Sequence, residues 1–284
     1  MTHSREQLIG LVDRFLDALG HNDTSRLPMT ANARYTENCQ ALPLGKGMWA
    51  TATPHQPAQH FVDVVDVASG QVAYFGVARE NKQPSIMSVR LKVDDGLVSE
   101  IEVLVARRPE ESGQPRVFNP ENMVEPKSIF SEMLAPSERS SRDEMARIAN
   151  LYLDGILAGD GSMIPVEDDC PRVENGTQTV LNPERGTETA KLGVAAQVDT
   201  GVFRDIEAAR DRRFPIVDEE RGLVFAIFLF DHPGPVTGSG FTSRYTQPNS
   251  MMVAELFKIK NGKIAQIEAV LNVFPYGTRS GWDA

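Results

Sequence analysis

The chain has 284 residues, enough for one large domain or two small ones. Its composition, 41% hydrophobic and 24% charged, is that of an ordinary globular protein. A net charge of −10 argues against a general nucleic-acid surface, and no apolar run approaches the roughly 20 residues that span a bilayer. The N-terminal "MTHSREQLIG" has no apolar signal core, so the expected location is cytoplasmic, with Cys39 and Cys170 as free thiols.

Residues 5–20, "REQLIGLVDRFLDALG", place Leu8, Leu11, Val12, Phe15, Leu16 and Leu19 on one stripe, which predicts an amphipathic helix ending at Gly20. A short polar segment and a strand ending in "YTENCQ" follow. The same order recurs downstream as "RDEMARIANLYLDGILAGD" and "RVENGT". A shift of 137 positions carries Glu37-Asn38 onto Glu174-Asn175. It also carries Arg5, Leu16, Asp17, Asp23, Ser25 and Pro28 onto Arg142, Leu153, Asp154, Asp160, Ser162 and Pro165. Leu11, Phe15 and Leu27 fall on Ile148, Tyr152 and Ile164, which reads as a shared apolar pattern. That period suits a whole small domain, so the chain reads as a tandem duplication.

Beyond these openings, "QVAYFGVARE" and "GLVFAIFLFD" are strand-like and align through Gly70 and Gly222. Each half then has two strands joined at Asp95-Gly96 or Asn261-Gly262, dipeptides suited to two-residue hairpin turns. The division expected is residues 1–108, a Pro-rich linker over 109–138 that is not an element, and residues 139–284. Two loop insertions are expected in the second half, around "AARDRRFPIVDEE" and "HPGPVTGSGFTSRYTQPNS".

The element order and "TEN…LPLGKGMW" resemble the NTF2-like (SnoaL-like) cone, which implies an α+β fold of two tandem cones, each with helices over a curved, mainly antiparallel sheet. "YTENCQALPLGKGMW", "DRRFPIVDEERGLVFAIFLFDHPG" and "IEAVLNVFPYGTRSGW" further resemble a tandem NTF2-like family that includes bacterial lyases of lignin-derived diaryl dimers. Cys39 stands where that resemblance leads one to expect a glycine. The resemblance implies a small aromatic substrate, a 1,2-diarylpropane-1,3-diol or phenylcoumaran, with formaldehyde released and no cofactor.

No phosphate-cradling loop, GxSxG, HExxH or CxxC occurs, and no metal ligand set is expected. Acid–base chemistry remains. If Asn261-Gly262 is a two-residue turn with unbroken pairing, Glu255 faces Glu268, while in the first half Glu102 faces Val89. Two facing carboxyls in an apolar cone would titrate as a pair with one proton held. Either could instead reach solvent or meet an arginine such as Arg172 or Arg212. Glu37 and Glu174 could serve as cone-mouth carboxylates or as acceptors of backbone N–H at a turn. The catalytic candidates are therefore Glu268, Glu255, His60, Glu37 and Glu102. The substrate-binding candidates are Tyr35, Trp49, Arg90, Arg172, Glu174, Asn272 and Tyr276. A dehydratase, isomerase or cyclase acting on a polyketide or terpenoid needs the same residues, and a non-catalytic ligand-binding or scaffold protein is the reading from another class. The partners expected are a small molecule but neither nucleic acid nor membrane, and a homo-oligomer is compatible with the sequence.

Overall fold

The computed structural model describes residues 3–53, 59–108, 117–123, 125, 127–235 and 245–282, with backbone alone at 59–61. In the first half, helix α1 (Arg5–Gly20) precedes β1 (Met29–Glu37), β2 (Gln40–Ala41), the one-turn α2 (Met48–Thr51), β3 (Gln59–Asp66), β4 (Gln71–Glu80), β5 (Gln83–Asp94) and β6 (Leu97–Arg107). A short α3 (Ser128–Ser131) lies between the halves. The second half runs α4 (Arg142–Ala158), β7 (Arg172–Glu174), β8 (Thr177–Gln178), α5 (Val194–Asp199), β9 (Ala208–Asp218), β10 (Leu223–His232), β11 (Asn249–Lys260) and β12 (Lys263–Pro275).

The two halves open alike because the same local chemistry recurs. Ser4 and Ser141 cap α1 and α4 by accepting from the amides of Gln7 and Glu144, each three residues on. After each helix, Asp23 or Asp160 starts a 3₁₀ turn by accepting from Ser25 or Ser162. The strand orders then match, β2-β1-β6-β5-β4-β3 and β8-β7-β12-β11-β10-β9. Within each sheet the β1–β6 or β7–β12 pair is parallel and the other pairs are antiparallel. The chain is an α+β protein of two tandem cones of one topology, each with helices over a mixed sheet.

The repeated Glu-Asn has a structural explanation in its asparagine. Asn38 and Asn175 adopt φ of 51° and 43°, which asparagine tolerates better than most residues. Their amides donate to the carbonyls of Val103 and Ala269 at 2.9 and 2.8 Å. Their side-chain oxygens accept from the amides of Val105 and Leu271 at 2.8 and 3.0 Å. Each asparagine thus clamps the short parallel strand to the long final strand. Cys39 has φ of 67°, and its repeat counterpart is Gly176 at 76°, so the turn is kept although the glycine is not.

Both predicted hairpin turns form, with positive φ at Asp95, Gly96, Asn261 and Gly262. The pairing beyond them differs from the expectation. A bulge after each turn, at Ser99 and at Ala265, inserts one unpaired residue and advances every later partner by one. Glu268 therefore faces Leu256, Glu255 faces Ala269, and Glu102 faces Arg90 instead of Val89. Glu255 and Glu268 lie on opposite faces of the sheet, and no Glu255–Glu268 pair exists.

Each sheet buries both faces. One face of each lies under its own helices, α1 against the first sheet and α4 with α5 against the second. The other faces pack on each other, with Phe75, Ile86 and Leu104 meeting Phe225, Ile227 and Leu256. The Phe75 and Phe225 rings cross edge-to-face at 5.8 Å. The described part of the linker is more than a tether. Met123 and Phe130 are buried in this shared core, Leu134 is buried nearby, and Lys258 Nζ donates to the Glu132 carbonyl at 3.0 Å. "AARDRRFPIVDEE" is not a loop insertion: it forms edge strand β9, with irregular pairing to β10. Residues 236–244 of the other expected insertion lie outside the described residues. The C-terminal segment returns to the first sheet, where Trp282 Nε1 donates to Thr36 Oγ1 at 2.7 Å and the ring lies under Arg34 and Arg90.

Candidate active site

Side chains on a strand alternate between faces, so residues two apart on β7, Arg172 and Glu174, share the concave face of the second sheet. In register across β7, β12 and β11, Glu174 pairs with Ala269 and Ala269 with Glu255. Two carboxyls thus flank an alanine on the face that α4 and α5 cover. A cavity of about 150 Å³ opens above this row. Tyr152, Phe203, Phe230, Tyr245 and Met251 form much of its wall, and Arg107 and Phe118 reach its lining from residues before α4.

Glu255 is 3% exposed, and its Oε2 is buried with no hydrogen-bond partner among the described residues. Burial pushes its carboxyl up to about 8; Arg172 and the Tyr152 hydroxyl draw it back, and Glu174 adds to the rise. At neutral pH it is therefore a protonated acid facing a cavity. Arg172 is held from several sides. Its Nε lies 3.0 Å from Glu174 Oε1 and donates to Thr179 Oγ1 at 3.1 Å. Its Nη1 donates to the Tyr152 hydroxyl at 3.4 Å, its Nη2 donates to Gln197, and its plane lies over Phe203. Gln197 is fixed in turn by donating to the carbonyls of Thr179 and Thr189. Burial, with the Glu255 carboxyl, raises Tyr152 well above the usual phenol range, so its hydroxyl stays protonated.

The other candidates lie elsewhere. Glu268 is buried between the sheets, where it accepts from Lys127 Nζ at 2.6 Å; burial raises it to about 7 against the pull of that lysine. Glu102, also between the sheets, accepts from Arg90 Nε at 2.8 Å and from both terminal nitrogens of Arg213. Arg90 also holds Glu100 and Gln71. Glu37 accepts from the Tyr35 hydroxyl and the Met48 amide, each at 2.6 Å, and from Arg107 at 2.8 Å. Trp49 fills the first cone, 5.3 Å from the Phe15 ring and 6.5 Å from Tyr35. Asn272 lines the cavity, and its side chain donates to the Val105 carbonyl at 3.0 Å. Tyr276 is exposed, and its hydroxyl donates to Glu207. The side chain of His60 lies outside the described residues; its backbone pairs with Gly76 on β4.

The two cones diverge at several aligned interior positions, four of them around the Glu174–Glu255 row. Phe15, Tyr35, Val89 and Val103 of the first correspond to Tyr152, Arg172, Glu255 and Ala269 of the second. Glu37 and Glu174 are common to both. The first cone is packed shut by Trp49 and its neighbours, and the second carries polar groups and space at the same places. Sequence reasoning named Glu255, Arg172, Glu174 and Asn272 but missed Tyr152, Gln197, Phe203 and Ala269. For Tyr152 and Ala269 the available signal was the replacement of an apolar residue by a polar or smaller one between aligned repeats.

Among the described residues no group of three or more His, Cys, Asp or Glu could hold a metal ion, and no helix is long and apolar enough to cross a membrane. Solved structures similar to parts of the chain include a candidate polyketide cyclase from Xanthomonas campestris pv. campestris, at 16% identity over 47% of this chain and 93% of that one, with a TM-score of 0.35. Another is a candidate ketosteroid isomerase from Kribbella flavida, at 16% identity over 40% and 92%, with a TM-score of 0.31. A third is an NTF2-like protein of unknown function from Cytophaga hutchinsonii, at 12% identity over 37% and 95%, with a TM-score of 0.30. No curated protein matches the chain. A family model does match, over residues 1–105 and 138–271, and on that match the chain belongs to the family described as a domain of unknown function, DUF8021.

Proposed function

We propose that the second cone is an acid–base active site that removes a hydroxyl from a small aromatic alcohol. The observation that carries this reading is the buried carboxyl of Glu255, with its Oε2 unpartnered among the described residues, on the wall of an aromatic-lined cavity. A protonated acid there donates to a leaving hydroxyl. Arg172 and Tyr152 stabilise the carboxylate left behind, and Glu174, across Ala269, accepts the second proton. A positioned acid or base contributes roughly 10²–10⁴-fold each.

The finer reading is a carbon–carbon lyase on a lignin-derived 1,2-diarylpropane-1,3-diol. With the para-phenol deprotonated, Glu255 protonates the benzylic hydroxyl, which leaves as water and yields a quinone methide. Glu174 then takes the proton of the terminal hydroxyl. The C–C bond breaks, its electrons restore the aromatic ring, and formaldehyde and a stilbene result. The quinone methide is the electron sink. A cavity of about 150 Å³ is the size that accepts a benzene-like ring. One aryl group sits inside, and the other lies at the mouth near Phe118 and Arg107. That size also favours this substrate over a fused polycyclic polyketide, although a dehydratase, isomerase or cyclase would use the same acid. A purely ligand-binding role leaves the buried acid without work.

Incubation with the diol, followed by formaldehyde assay and stilbene absorbance, tests the reading. Both products should appear in equal amounts. Water loss without formaldehyde would point to the dehydratase, and no turnover of any aryl alcohol would end the enzyme reading.

A further inference from the structure

Glu174, Ala269 and Glu255 form a row across three strands, and in the first cone the same row reads Glu37, Val103, Val89. Both rows lie under helices in the interior of their cones. Ala269 is 1% exposed and is part of the cavity lining, whereas Val103 is sealed in a core with Trp49 and Phe15. We infer that Ala269 is the specificity-determining residue of the site: its small side chain keeps open the gap between the two carboxyls, and it sets the width of the ring that enters. This inference rests on the functional reading above and names the substrate it admits, a single flat ring narrow enough to lie over Ala269 between Glu174 and Glu255.

The physical argument is one of volume at a fixed place. Neighbouring strands are about 4.8 Å apart, so the Cα atoms of Glu174 and Glu255 are roughly 10 Å apart with only a methyl between them. A valine there, as in the first cone, adds two methyl groups to the floor of a cavity of about 150 Å³. Packed surroundings do not yield to such an addition without cost. The floor is a central strand, bonded on both sides to β7 and β11, so it cannot recede. Of the four replacements around the row, those of Phe15, Tyr35 and Val89 are chemical changes, and Ala269 is the one of size alone. Shape at a single methyl or methylene is worth roughly 10–200-fold in discrimination.

The test uses calorimetric binding of two probes, benzyl alcohol and its broader 3,5-dimethyl derivative, to the full chain and to Ala269→Gly, Ala269→Ser and Ala269→Val. The unsubstituted protein should prefer benzyl alcohol at least about tenfold. Ala269→Gly should bring the two probes within about threefold, and Ala269→Val should weaken both at least about tenfold. Ala269→Ser, with one added atom, should fall between, and it carries the test if the valine variant does not fold. The same probe ratio in all soluble variants would overturn the inference and leave the functional reading standing. Failure of benzyl alcohol to bind the unsubstituted protein would overturn both.

Discussion

Glu174 and Glu255 face the same alanine from opposite sides, Glu174 through the parallel pairing of β7 with β12 and Glu255 through the antiparallel pairing of β11 with β12. One carboxyl is ion-paired with Arg172, and the other is buried with one oxygen unpartnered among the described residues. Unequal surroundings divide two like groups into a proton acceptor and a proton donor, as acid–base sites require. The division comes from the fold: β7 delivers the arginine and one glutamate together, and β11 delivers the other glutamate to a place that solvent does not reach.

Glu255→Gln should retain the fold and lose at least ~10²-fold in turnover, the scale of a positioned acid. Glu268→Gln, altered on the other face of the sheet, should leave kcat within a few-fold. Steady-state kinetics of the two variants side by side checks the assignment.

Activity should fall with rising pH through about 8, as Glu255 loses its proton. Arg172 favours the ionised form of Glu255, so Arg172→Gln should move that alkaline limb to higher pH while also lowering kcat. A pH–rate profile of kcat/KM for both proteins reads the shift. An unmoved limb would mean that another group titrates there.

Stability should follow the same carboxyls. The folded state holds protons on Glu255 up to about 8 and on Glu268 up to about 7, whereas the unfolded chain releases them near 4.5. Between those values the native state binds more protons, so this contribution is fully present below about 4.5 and is lost as pH rises to about 8. Glu255→Gln removes its share of the loss and should raise stability at pH 9 by roughly a few kcal/mol relative to its effect at pH 5. Urea unfolding at the two pH values measures it.

Trp49→Ala should destabilise by about 3–5 kcal/mol, the cost of emptying a packed aromatic site. Turnover per folded molecule should stay near normal, because Trp49 belongs to the closed cone. Denaturant midpoints and activity measured well below the transition separate the two effects.

Much of the fold was legible because it is written in local rules. The helical stripes and the 137-residue shift marked the openings, and Asp95-Gly96 and Asn261-Gly262 marked the hairpins. The bulges at Ser99 and Ala265 were harder, since an extra residue changes pairing without changing composition. A trace of them exists: Ile264 and Ile267 are both buried in one core although three apart, which an unbroken strand forbids. That one slip hid the site, moving Glu255 onto the cavity face and Glu268 onto the other. Tyr152 read as one more apolar helix residue. Its hydroxyl acquires a role only when Arg172 and Glu255 are brought beside it from distant strands. Gln197 sits on the six-residue α5, whose place in the first half is taken by the one-turn α2 outside the 137-residue register, so the comparison of repeats did not place it.

The most direct test is titration of the Glu255 carboxyl itself, followed by the infrared carbonyl band of the protonated acid in the intact protein and in Glu255→Gln. The account predicts a band that persists through neutral pH, fades around pH 8 and is missing from the variant. A difference spectrum in which that carboxyl ionises between pH 4 and 5 would contradict it.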